Sequence, residues 1–251
     1  MHLKDFPIIS FVVSFVILSL GAEIGNLVRK QLAPLKDEER ADFGIVLGAA
    51  LTLLGLLIGF TFSMSVSRYD QRKNYEESEA NAIGTEYVRA DLLPPGDAAE
   101  VRALLKKYLD QRVLFYTTRD LRSLAKINAD TTELQTKLWS AVRAPAVAQQ
   151  TPVMALVVSG MNDVLNSQGY TQAAWWNRIP RSAWVLMLTI GFGCNVLIGF
   201  SARKTERRLF LIVPIAASMA FFLITDIDSP RRGTIHVTPM NLLALSQSLA
   251  Q

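Results

Sequence analysis

The second long apolar run of the chain constrains its fold more than any other feature. Residues 43–66 carry no charged side chain. A helix of that length crosses a bilayer core of roughly 30 Å at about 1.5 Å per residue. The chain becomes highly charged from Arg68 onward, yet no proline follows before Pro94 and the only intervening glycine is Gly84. Because helix breakers are missing, the sequence predicts that this span continues beyond the bilayer as one long helix.

Three further apolar runs bring the predicted transmembrane helices to four. They are Pro7–Val28, Ser182–Ala202 and Leu209–Thr225. All four are expected to be helices, because lipid offers no hydrogen-bond partner to an open strand edge. Half of the residues are apolar and only 19% are charged, which is typical of a chain with several spans. A cleaved signal peptide is the alternative for the first run, but Leu20 stands where cleavage requires a small residue.

The spans divide the chain into four parts. The first two spans fall in 1–67, a helical extramembrane domain in 68–181, the other two spans in 182–225 and a C-terminal tail in 226–251. Local signals in the domain predict an extension of the second span to Leu93, a helix with Asp97 as N-cap, a helix Asp130–Arg143 ended by Pro145, and a helix capped by Thr151. No strand-length alternation of apolar and polar residues is found. The predicted fold class is therefore an all-α membrane protein. Trp175, Trp176 and Trp184 flank the third span and predict an aromatic belt.

Small residues recur along one side of the second span at helical spacing. They are Gly48, Gly55, Gly59 and Ser63. Such a stripe lets two helix backbones approach closely in lipid, either within one subunit or between subunits around an axis. On roughly the opposite face lie Leu53, Leu57, Phe60 and Met64. These side chains either contact lipid or form a hydrophobic constriction that gates by dewetting, with Phe60 at its centre.

Charged residues follow the second span at spacings that share helix faces. Arg68 and Arg72 are four apart, so they lie on one face. They either reach lipid headgroups or form a cationic ring that favours anions at a pore mouth. Glu79 and Glu86 are seven apart. These two acids either pair with arginines of neighbouring helices or face the axis and attract cations into a vestibule.

Other classes of site lack support in the sequence. Asp226 and Asp228 are weak candidates for metal ligands, because no acid follows at the later positions of a calcium loop. No phosphate-binding glycine loop, zinc-ligand spacing or nucleophile beside a histidine is found, so we expect neither an enzyme nor a cofactor. The net charge of +4 comes without a basic stripe interleaved with aromatics, which argues against nucleic-acid binding. Basic residues flanking the spans are balanced between the two sides, so orientation stays open.

Four segments together resemble the bestrophin-like family of membrane proteins. They are "GLLIGFTFSMSVSRYDQR" from Gly55, "EANAIGTEYVRADLLPP" from Glu79, "NRIP" from Asn177 and "DIDSPRRGTIHV" from Asp226. The resemblance implies a homo-oligomeric anion channel, a pentamer conducting chloride, with the second span lining the pore. It also implies a bacterial inner-membrane protein whose helical domain and termini lie in the cytoplasm. The acidic segment after the last span is short here, so calcium gating is not implied.

Two functions are compatible with these features. The first is an oligomeric ion channel, anion-preferring through Arg68 and Arg72, in the lipid bilayer. The alternative is a non-conducting membrane scaffold or sensor whose helical domain binds a partner.

Overall fold

The computed structural model describes residues 6–31, 37–201 and 210–250, and this part of the chain is helical with no strand. The predicted ends of two spans, Ala202 and Leu209, lie outside it, as do the basic residues Arg203, Lys204, Arg207 and Arg208 between them. The helices are α1 (Pro7–Gln31), α2 (Asp37–Arg89), α3 (Pro95–Thr117), α4 (Leu121–Ala148), α5 (Pro152–Trp176), α6 (Arg181–Ser201), α7 (Ile212–Asp228) and α8 (Met240–Ala250). A short 3-10 turn, Ala90–Leu92, follows α2.

The helix α2 is one continuous element of 53 residues. It includes the whole predicted second span and its charged continuation up to Arg89. Neither Gly84 nor the change from apolar to charged sequence interrupts it, because neither removes a backbone hydrogen bond as a proline would. The predicted end at Leu93 differs only in that the last turn tightens to a 3-10 turn before Pro94.

Three helical stretches of the described chain are long and apolar enough to cross a membrane. They are Pro7–Gln31, Glu39–Leu92 and Pro152–Ser201, with mean hydropathies of 2.2, 2.4 and 1.9. The predicted fourth span corresponds to α7, which has 17 residues and falls below that length. The fourth span therefore stays a prediction.

The chain forms two compact units. The first contains Met1–Tyr69 and Arg178–His236, and the second contains Asp70–Asn177 and Val237–Gln251. Leu18, Leu54, Met187, Ala217 and Phe221 are the buried core of the first unit, drawn from α1, α2, α6 and α7.

Within the first unit, α1 and α6 approach at glycines. A Cβ atom built on Gly25 would lie 2.0 Å from the carbonyl oxygen of Val196, and one built on Gly199 would lie 1.9 Å from that of Ala22. Real Cβ atoms do not come this close to backbone, so only glycine fits at these two positions. The contact is the small-residue packing expected of helices in lipid.

Three of the predicted helix boundaries in the second unit are wrong. The helix predicted to begin at Asp130 is α4, which begins nine residues earlier at Leu121, because the side chain of Asp120 caps its first turn. The helix α3 begins at Pro95 and no side chain caps it, so Asp97 is not the N-cap. Proline at the first helical position needs no N–H partner and already has a helical φ. Pro145 does not end α4, which continues to Ala148. The carbonyl of Pro145 still accepts a hydrogen bond from the Gln149 N–H at 2.9 Å, so the last turn closes.

Two helices of the second unit begin with a side-chain cap. Asp120 caps α4 by accepting a hydrogen bond from the Ser123 N–H at 2.7 Å. The predicted cap at Thr151 is confirmed, since its hydroxyl accepts from the Met154 N–H at 3.2 Å. Trp175 differs from its prediction: it is buried against Phe115, with ring centroids 5.0 Å apart, instead of standing in an interfacial belt.

Candidate functional site

The transmembrane part of α2 has one face buried against its own unit. Leu54, Thr61 and Ser65 are buried, and Leu57 and Ile58 pack against the core of the first unit. These positions are three or four apart, which places them on one side of the helix. Thr61 and Ser65 bond back to carbonyls of their own helix, at 2.7 and 3.0 Å, so their hydroxyls need no other partner.

A second face of α2 is exposed although it is apolar. Phe60 is 62% exposed and Leu56 is 52% exposed, and Leu53 and Met64 are also exposed. Large apolar side chains in a row on one helix indicate contact with lipid or with another protein surface. Leu57, which its spacing assigned to this face, packs against the core instead, and Leu56 takes the position one turn before Phe60. Helical spacing alone is compatible with either Leu56 or Leu57 on the exposed face. Only the residues that pack against α2 show which of the two is buried.

The small-residue stripe of α2 is also open. A Cβ atom built on Gly48, Gly55 or Gly59 would meet no heavy atom within 4 Å in the described part of the chain, and Ser63 is exposed. In the described part of the chain, no helix of the same subunit therefore packs against these glycines. The close contact inside the first unit is made by Gly25 and Gly199.

Arg68, at the end of the apolar segment, lies beside the C-terminal end of α7. Its Nη1 atom is 3.7 Å from a carboxylate oxygen of Asp228, and its side chain is 14% exposed. Asp228 also accepts a hydrogen bond from the Ile179 N–H at 3.2 Å. Arg178 donates to the carbonyl of Asp228 at 2.8 Å. The ion pair connects α2 to the end of α7, and the hydrogen bonds of Arg178 and Ile179 connect the segment before α6 to the same residue.

Asp226 organises the turn after α7. Its carboxylate accepts hydrogen bonds from the N–H and hydroxyl of Thr234, both at 2.7 Å, and from the Ile235 N–H at 2.9 Å. Gly233 is required for this turn, because its Cβ atom would lie 2.1 Å from the carbonyl oxygen of Asp226. Both aspartates are thus engaged by protein donors. The described residues contain no group of three or more His, Cys, Asp or Glu arranged to hold a metal ion.

In the second unit, Glu79 lies in a fully buried cluster. It forms an ion pair with Arg112, and neither side chain is exposed. Thr171 donates its hydroxyl to Glu79 at 3.1 Å, and Tyr116 does so at 3.4 Å. The guanidinium of Arg112 stacks 4.4 Å from the ring centre of Phe115. Burial lowers the pKa of Arg112, but the charge of Glu79 and its hydrogen bond, together with Tyr108 and Tyr116, raise the pKa above its ordinary value.

Two more charged residues of α2 are buried in the second unit. Arg72 is 1% exposed. Glu76 caps the start of α8, where it accepts hydrogen bonds from the N–H groups of Asn241 and Leu242, both at 2.9 Å. The negative charge of this cap complements the positive N-terminus of α8. The role of Glu76 could not be predicted from the sequence, because a cap supplied by another helix leaves no local signal.

Glu86 is 0% exposed, and no hydrogen bond to either of its carboxylate oxygens is found in the described part of the chain. Burial raises its pKa to about 8, the charge of Arg89 lowers it and that of Asp163 raises it. Among the charged residues of this part of α2, the exposed ones are Asp70, Lys73 and Glu77.

A family model for the bestrophin-like domain matches residues 16–242. The chain belongs to the bestrophin-like family. Comparison with curated protein sequences gives no match.

Solved structures show that this bestrophin-like chain has the bestrophin fold. The crystal structure of a bacterial bestrophin homolog from Klebsiella pneumoniae matches with a TM-score of 0.62 at 16% identity, covering 96% of each chain. A tyrosine-to-alanine variant of that homolog matches with a TM-score of 0.63 at 15% identity, over 95% of this chain and 97% of that one. The crystal structure of a membrane protein with a proline-to-alanine substitution matches with a TM-score of 0.65 at 14% identity, over 95% and 96%.

Proposed function

We propose that the protein is an oligomeric ion channel in which the exposed face of α2 lines the ion path. Family membership supports a channel. The observation that carries the assignment to α2 is the exposed row of Leu56 and Phe60, which lies on a different face of the helix from its buried residues. Large apolar side chains around a narrow axis exclude water and so form a gate.

Several copies are needed to enclose such a path. The proposed pore face lies on the outside of the first unit, so one chain presents a single wall. The open stripe of Gly48, Gly55 and Gly59 supports close packing of α2 against a neighbouring copy. We take the pentamer and the location in a bacterial inner membrane, with the second unit in the cytoplasm, from the resemblance.

The ion preference follows from which charges reach the path. The sequence predicted an anion preference through Arg68 and Arg72, but Arg72 is 1% exposed and Arg68 is paired with Asp228. Asp70 and Glu77 are exposed on α2, and Lys73 is the exposed base between them. We therefore propose that the two acids set a modest preference for cations, since a ring of carboxylates concentrates them.

Planar-bilayer recording of the purified protein under a potassium chloride gradient tests the channel. The expected result is a conductance that reverses on the potassium side of zero. A reversal near the chloride equilibrium value would return selectivity to Arg68 and Arg72, and the absence of any conductance would overturn the channel.

In the same recording, Phe60→Ala is expected to raise the conductance several-fold, because it removes the largest exposed apolar side chain at the constriction. Ile8→Ala is the matched control, since Ile8 is exposed on α1. Equal currents from both variants would remove Phe60 from the gate.

One observation favours the second candidate, a scaffold or sensor. An open groove of about 320 Å³ in the second unit is lined by Tyr75, Asp163, Asn166 and Tyr170, among others. The two tyrosine rings stack 5.9 Å apart. Aromatic and acidic side chains together suit a cationic partner segment. A partner captured by the second unit, together with absent ion flux, would favour this function.

A further inference from the structure

The contact of Glu86 with α5 is made possible by a glycine. A Cβ atom built on Gly160 would lie 2.0 Å from the Oε2 atom of Glu86 and 2.4 Å from an Nη1 atom of Arg89. The side chains of α2 thus fill the space that a side chain at position 160 would need. The result is a tight helix contact in the second unit with a carboxyl group at its centre.

No hydrogen bond in the described part of the chain stabilises a negative charge on Glu86. Both of its oxygens lack a hydrogen-bond partner in the described chain, and the residue is fully buried. A buried carboxyl group without hydrogen-bond donors is harder to ionise than one in water. Arg89, on the same helix, favours the charged form, while Asp163, on α5, opposes it. The nearby Asp91 and Arg102 pair with each other.

We propose that the contact between α2 and α5 at Glu86 and Gly160 is a pH-sensitive joint. It is closed while Glu86 is neutral and loosens when Glu86 ionises. The joint lies wholly within the second unit and does not depend on whether the protein conducts ions. In a channel, it provides a way for pH to act on the helix that lines the path.

The direction of the pH effect follows from the pKa of Glu86. That pKa is raised from 4.5 to about 8 in the folded chain. Between these values the closed contact holds a proton that the opened one has released. The closed form is therefore fully stable below pH 4.5 and loses stability as the pH rises toward 8. The equilibrium constant for opening rises by up to about tenfold per pH unit in this range.

Hydrogen exchange measured by mass spectrometry on the full chain in detergent tests the joint. After correction for the intrinsic rate, protection of the α5 peptides around Gly160 is expected to fall by up to about tenfold per unit from about pH 5 to about pH 8. Glu86→Gln is expected to remove this slope. Glu133→Gln, at an exposed acid on α4, is the matched control and should keep it.

A flat profile in the unsubstituted protein, or the same slope in Glu86→Gln, would overturn the proposal. Asp163→Asn gives an independent readout if Glu86→Gln does not fold. Removing the opposing charge lowers the pKa of Glu86 in the closed contact, so the loss of protection should level off at a lower pH and be smaller in total. An unshifted profile in a folded Asp163→Asn protein would also contradict the joint. None of these readouts requires ion conduction.

Discussion

Arg112→Leu is expected to lower the free energy of unfolding of the second unit by about 3–5 kcal/mol. The substitution leaves the carboxylate of Glu79 buried without its cationic partner, since both side chains are fully buried. Thr171 and Tyr116 still donate to Glu79, but at 3.1 and 3.4 Å they do not neutralise its charge. Stacking of the guanidinium on Phe115 is lost as well.

Denaturant unfolding followed by tryptophan fluorescence measures this loss, because Trp175 packs against Phe115 and Tyr116 in the same cluster. Lys137→Met is the matched control. It breaks the ion pair of Lys137 with Glu133 on the exposed side of α4, where water screens the charges. Adding Glu79→Leu to Arg112→Leu should recover much of the stability, because no buried charge remains. If Arg112→Leu and Lys137→Met lowered the free energy of unfolding equally, this would contradict the expected large contribution of the buried ion pair.

Gly25→Ala is the second substitution with a large expected effect. It should lower the free energy of unfolding by about 1–3 kcal/mol or more, as is usual for overpacking. The added Cβ atom would lie 2.0 Å from the carbonyl oxygen of Val196. Because that atom belongs to the backbone of α6, the whole helix must move. Thermal unfolding of the purified protein in detergent provides the measurement.

Gly55→Ala is the control for this experiment, since its Cβ atom meets nothing within 4 Å in the described chain. We expect it to leave the stability of the single chain unchanged. If the α2 stripe packs between copies, Gly55→Ala should instead weaken the oligomer, which size-exclusion chromatography with light scattering detects. Similar unfolding losses for Gly25→Ala and Gly55→Ala would show that the two stripes have been assigned to the wrong roles.

The glycines show how far the sequence could predict the packing. Gly21–Gly25 and Gly55–Gly59 have the same GxxxG spacing, and only the second pair was predicted to pack closely. The structure brings Gly25 against α6 and leaves Gly55 open. GxxxG spacing predicts that another helix can approach closely. Which helix does so depends on contacts with residues far away in the sequence, and local spacing does not reveal them.

For the charged part of α2, too, local features could be predicted from the sequence and contacts with distant residues could not. The continuity of α2 and the cap at Thr151 follow from the absence of proline and from local hydroxyl chemistry, so both could be predicted. The pairing of Glu79 with Arg112 joins α2 to α3, 33 residues further along the chain. Heptad spacing placed Glu79 and Glu86 on one face, but only the packed helices show that this face is the buried one.

The most direct test of the proposed ion path is whether a thiol reagent in water reaches position 60 inside the conducting protein. With Phe60→Cys, a charged methanethiosulfonate reagent is expected to block or strongly reduce the bilayer current. Leu54→Cys, on the buried face of α2, should be unaffected, and the native Cys194 is buried. An unchanged current in Phe60→Cys, or a block confined to Leu54→Cys, would contradict the claim that the exposed face of α2 lines the ion path.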